Sequence, residues 1–158
     1  MRFFLMATTA GLFTLTTAMM IAQEAQAVQD TPVTINGVEA VCTGVGSAKD
    51  DPRWGAYPIK IVLATTGGAN LANAHVSLNR AGKEVAGLDC DAPWILFRAP
   101  GGSYTATATL IGGSGRSSSS NFTTAGSGAQ KEITIRFASS NPAVSLPAGS
   151  APAPSPGQ

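Results

Sequence analysis

Histidine, methionine, charge and helix signals are what this chain is short of. It holds one histidine, His75, and 12 % of its 158 residues are charged, ten lysines and arginines against nine carboxylates. A balance this near to neutral offers no basic stripe to track phosphates, which sets nucleic acid aside as a partner. All four methionines and three of the six phenylalanines fall within residues 1–27. A chain processed there keeps no thioether and one imidazole, too few donors for copper or zinc. There is no Cys-x-x-Cys-His to attach haem, no Cys-x-x-Cys redox pair, no Gly-x-Ser-x-Gly elbow and no EF-hand-like spacing. Catalysis needs a positioned base, nucleophile or metal. The expectation is a protein that is not an enzyme and uses no cofactor.

What is present begins with an export signal. Arg2 supplies a positive start, residues 3–21 an apolar stretch broken by threonines, and Ala25-Gln26-Ala27 a small-residue cleavage site. Residues 1–27 therefore read as a secretory signal peptide, which places the mature protein in the periplasm or outside the cell, with no membrane attachment after cleavage. Two cysteines remain, Cys42 and Cys90. In an oxidising compartment they are expected to form one disulfide, stabilising the fold by roughly 4 kcal/mol at most.

Residues 28–138 are long enough for one domain, and their Gly, Ser, Thr and Ala content with few helix signals predicts an all-β class. The organising stretch is 98–110, RAPGGSYTATATL. A Pro100-Gly101-Gly102 turn feeds a segment in which Tyr104, Ala106, Ala108 and Leu110 alternate with Thr105, Thr107 and Thr109, the pattern of a half-buried strand. Tyrosine at its start can bury its ring while its hydroxyl meets backbone at a corner.

Other strands follow the same logic. Val33, Ile35 and 38–42 give one strand or two around Asn36-Gly37. Residues 57–65 form a strand with Ile59, Ile61 and Leu63 on one face, 71–79 another with Val76 and Leu78 inward and His75 outward, and 84–88 its hairpin partner across Ala81-Gly82. The apolar run Trp94-Ile95-Leu96-Phe97 leads into the tyrosine strand, and these two are expected to make the central hairpin. Residues 111–120 read as a connection, 121–124 as a weak strand and 131–137 as a closing strand with Ile133, Ile135 and Phe137 inward. The count of seven strands, spaced by turns, predicts an immunoglobulin-like Greek-key sandwich. Residues 139–158, rich in Pro, Ala and Ser, read as a disordered tail.

The runs YPIKIVLATTGGANLANAHVSLNRAGKEV, APWILFRAPGGSYTATAT and KEITIRF together resemble the carboxypeptidase regulatory-like domains, transthyretin-like (prealbumin-like) β-sandwiches of exported bacterial proteins. The likeness covers 57–137. Its most specific element is an apolar-Pro-x-Gly-x-Tyr-x-apolar-x-Ala pattern, matched from Ala99 to Ala108 with one extra residue between Pro100 and Tyr104. It implies a non-catalytic support, spacer or binding module.

The remaining candidates are few. Asp50-Asp51 and Asp89 with Asp91 could offer oxygens to calcium if a disulfide draws their loops together, and are otherwise turn residues. Ser117 to Ser120 are a solvated loop unless His75 activates one of them. Trp54, in the Gly/Pro-rich loop 43–56, is a candidate sugar-stacking platform, whereas Trp94 is expected in the core. Edge strands, the hairpin around Gly82 among them, invite strand addition. The expectation is a structural or protein-interaction module with an unknown envelope or extracellular protein as partner. The alternative is a carbohydrate-binding module that uses Trp54.

Overall fold

The computed structural model describes residues 29–112 and 115–139. The leader read over 1–27 and the tail, apart from Ser139, lie outside them.

Wherever apolar residues recur at every second position, the described chain is a strand. There are nine: β1 Val33–Ile35, β2 Val38–Thr43, β3 Ile59–Thr65, β4 Ala74–Arg80, β5 Lys83–Cys90, β6 Trp94–Arg98, β7 Gly102–Leu110, β8 Ser117–Thr124 and β9 Lys131–Phe137. Two short 3-10 helices, Gly46–Asp50 and Pro52–Ala56, lie between β2 and β3, and no α-helix occurs among the described residues. The strands form a five-stranded sheet in the order β1-β2-β6-β3-β9 and a four-stranded sheet in the order β5-β4-β7-β8. Strands β3 and β9 run parallel and the other pairs antiparallel.

The all-β, two-sheet architecture is as the sequence implies, but the count and one pairing differ. Nine strands replace seven because the chain folds back at Asn36-Gly37, both at positive φ, which makes two strands of 33–43, and because the weak strand read at 121–124 is a full one, β8, that starts at Ser117. The expected hairpin of the WILF run with the tyrosine strand does not exist. Strand β6 pairs with β2 and β3, while β7 pairs with β4 and β8. The short link between β6 and β7 crosses from one sheet to the other, because Ile95 and Phe97 must face the same interior as Tyr104, Ala106 and Ala108 from the opposite layer.

That interior is the core. Ile59, Ile61, Leu63, Ile95 and Phe97 come from the five-stranded sheet, Val76, Leu78, Leu88, Ala106 and Ala108 from the four-stranded one, and all are fully buried. Ile133, Ile135 and Phe137 of β9 join them, as their alternation predicts. Burying each large aliphatic side chain stabilises the sandwich by about 1.5–3 kcal/mol before the entropy of ordering is set against it.

Candidate functional site

The two cysteines are bonded. Cys42 of β2 and Cys90 of β5 have Cα atoms 5.6 Å apart and lie 48 residues apart in sequence. The bridge joins the two sheets along one lateral side of the sandwich. On the opposite side β8 and β9, the end strands of their sheets, lie side by side, tied by a Ser118 hydroxyl that donates to the Arg136 carbonyl.

The turn before β7 is built as a corner. The Tyr104 ring is buried and its hydroxyl donates to the Pro100 carbonyl at 2.7 Å. Arg80 reaches over the ring, with its guanidinium 5.6 Å from the centroid. Glycine is required at 101 because a Cβ there would lie 2.5 Å from the Ala125 carbonyl oxygen, and at 126 because one there would lie 2.1 Å from the Gly101 nitrogen. These are backbone-to-backbone contacts with no flexible side chain to yield. Pro100, Gly101, Gly102 and Tyr104 therefore act as a structural corner.

The two tryptophans exchange the roles expected of them. Trp54 is 5 % exposed, so its ring is not presented for sugar stacking. The 3-10 segment lays it, with Tyr57, over Val41 and Leu96 on the outer face of the five-stranded sheet, forming a second apolar cluster. Its indole N–H donates to the Ala48 carbonyl at 2.7 Å, and the Gln130 amide donates to the carbonyls of Trp54 and Tyr57. Trp94, expected in the core, has the opposite parity to Ile95 and Phe97 and lies half-buried on the outer face. The Lys60 ammonium stands 3.6 Å from its centroid. Beside this strap the Tyr57 hydroxyl donates to Glu39 at 2.6 Å, and Arg98 approaches the same carboxylate at 3.3 Å. Burial, then the Glu39 carboxylate, pushes the Tyr57 hydroxyl up to about 12. The hydrogen bond from Tyr57, with help from Arg98, holds Glu39 below the usual carboxylate range.

The remaining polar candidates are engaged locally. The His75 Nδ1 and Asp89 Oδ1 atoms are 2.7 Å apart across the β4–β5 pair. Asp51 accepts from the Arg53 amide and pairs with its guanidinium. Among the described residues no three His, Cys, Asp or Glu side chains gather where they could hold a metal ion. Ser117 to Ser120 are in β8 rather than in a loop.

The sheet edges then decide what is accessible. Strand β1 has three residues, β5 carries Lys83 and Glu84 and shares a bulge with β4, and β9 carries Lys131, Glu132 and Arg136. Each is short, irregular or charged, devices that blunt an edge. Strand β8, SSSSNFTT, has none of them. It runs eight residues in unbroken register with β7, without charge or proline. Leu110 donates its amide to the Arg116 carbonyl, which fixes the ladder's phase. Hydrogen-bonded pairs alternate with non-bonded ones in an antiparallel ladder, so Ser118, Ser120, Phe122 and Thr124 face β7. The amides and carbonyls of Ser117, Ser119, Asn121 and Thr123 point away from β7, toward the side shared with β9, and none has a backbone partner among the described residues. Sequence reasoning missed this edge because serine has low strand propensity. The usable signal was the Thr-Ala alternation of β7, which needs a neighbour of equal length.

On the outer face of this sheet lies a cleft of about 460 Å³, bounded by the Ala81-Gly82 turn and lined by Asn79, Ser103, Thr105, Asn121 and Thr123 among others. It carries amides and hydroxyls and no charge. Comparison with models of known protein families finds none that matches this chain, and comparison with curated proteins finds no match either.

Proposed function

We propose that this chain is an exported, non-catalytic sandwich module of the transthyretin-like, immunoglobulin-related kind, holding a protein in the cell envelope by strand addition along β8. One observation carries this reading: β8 is the long, uncharged, regular edge, and its outward amides and carbonyls are set at the pitch of a strand. An extended segment laid beside it gains a ladder of main-chain hydrogen bonds, each worth about 0.5–1.5 kcal/mol net. Substituting Ser119 with proline removes one outward amide and leaves the β7 ladder intact, because Ser119 occupies a non-bonded position. Ser119→Pro should melt within a few degrees of the parent and lose the protein that the parent captures from envelope extract. Equal capture by both would remove β8 from the account.

A second reading, binding of a neutral glycan, no longer rests on Trp54. What favours it is the uncharged amide and hydroxyl lining of the cleft beside Asn79 and Asn121. Titration with cellohexaose and chitohexaose, followed by amide chemical shifts, tests it. Shifts confined to Ser103, Thr105, Asn121 and Thr123 would support it, and none at saturating sugar would end it.

A further inference from the structure

The reading of β8 as the working edge leaves its occupant open, and the strand itself narrows the choice. Its outward residues, Ser117, Ser119, Asn121 and Thr123, are spaced evenly about Ser120. An antiparallel copy turned about an axis through Ser120 sets Ser117 opposite Thr123 and Ser119 opposite Asn121, so every outward amide meets an outward carbonyl. Sliding the copy by two residues leaves Ser117 or Thr123 facing a position beyond the strand. Sliding it by one sets outward groups against inward ones and turns the side chains to the wrong faces.

Side chains agree with that register. Ser117 would face Thr123, Ser118 would face Phe122 and Ser119 would face Asn121, with no charge opposed to a like charge. Hydroxyl pairs of this kind already bridge β7 and β8, where Thr109 and Ser117 lie 2.7 Å apart and Ser103 and Thr123 3.2 Å apart. An unrelated peptide would find little on β8 to recognise beyond hydroxyls. A second copy finds its own pattern returned.

We propose that β8 is a self-pairing edge: two copies of this chain join antiparallel through β8 about a twofold axis at Ser120, merging their four-stranded sheets into one of twice the width. The shared ladder would span residues 117–123, seven antiparallel residues or about 24 Å. The proposal rests on the strand-addition reading and names its partner.

The test uses the exported, disulfide-bonded chain in sedimentation velocity from micromolar to millimolar concentration. Wild type should show a concentration-dependent dimer. Ser119→Lys with Asn121→Lys places ammonium opposite ammonium in the stated register and should weaken association by about tenfold or more. Ser119→Glu with Asn121→Glu should do the same, and mixing the lysine and glutamate variants should restore a dimer containing one of each. All four substitutions lie on an exposed face, so an unchanged melting temperature shows that the fold is intact. A wild type that stays monomeric at millimolar concentration overturns the proposal, as do variants that dimerise like wild type. If wild type is monomeric yet Ser119→Pro still abolishes capture of an envelope protein, self-pairing falls and strand addition stands. If Ser119→Pro changes neither readout, both fall.

Discussion

Replacing both bridged cysteines with alanine should cost this domain a large part of its stability. The bond closes a loop of 48 residues, for which restricting the unfolded chain is worth about 4 kcal/mol. Both residues are 1 % exposed and belong to the core, so loss of the sulfur atoms adds about 1 kcal/mol of missing packing. Set against a typical domain stability of about 5–15 kcal/mol, Cys42→Ala/Cys90→Ala should remain folded but marginal. Its melting temperature should fall by about 15–25 °C, given several degrees per kcal/mol for a domain of this size. Urea unfolding separates the causes. An entropic cross-link acts on the unfolded chain, so the variant should show a lower midpoint together with a steeper dependence on urea, as the unlinked chain exposes more surface. A loss below about 1 kcal/mol with an unchanged slope would refute the reasoning, because the bridge would then restrict nothing that the sheets do not already hold.

Other perturbations follow from the same geometry. Tyr104→Phe keeps the buried ring and removes only the hydrogen bond to Pro100, so it should cost about 1 kcal/mol. Gly101→Ala drives a methyl into the Ala125 carbonyl and should cost more, about 1–3 kcal/mol; denaturant midpoints in the reverse order would contradict the corner. The Tyr57 hydroxyl is raised to about 12, so the folded state favours its neutral form. That contribution is complete below the ordinary value near 10 and is lost as pH climbs through about 12. Denaturant midpoints from about pH 9 upward should therefore fall more steeply in the parent than in Tyr57→Phe, and parallel curves would show that the phenol is not the group responsible. With each tryptophan replaced in turn by phenylalanine, acrylamide should quench Trp94 more readily than Trp54, and the opposite order would place the strap elsewhere.

Much of the fold was legible as pattern. Alternation marks the faces of β3, β4, β7 and β9 because a pleated strand buries every second side chain, whichever neighbour it takes. The cysteine pairing was legible because the chain has only two cysteines to pair. Less legible was anything that depends on what covers an outer face. Trp54 stands in a Gly/Pro-rich loop and Trp94 in an apolar run, yet the strap of 3-10 turns over Val41 and Leu96 leaves the first buried and the second half-buried. Likewise Ser117 to Ser120 have loop composition, and the unmet backbone groups of β7 pull them into a strand.

The sequence by itself determined that this chain makes half-buried strands, a tyrosine-closed turn and one cystine, because periodicity, glycine placement and cysteine count are local properties. Only the tertiary structure decided which sheet each strand enters and which edge stays unguarded. Those depend on how two layers close over a shared core, and strands such as β6 and β7, adjacent in sequence, carry no local mark that they belong to different layers.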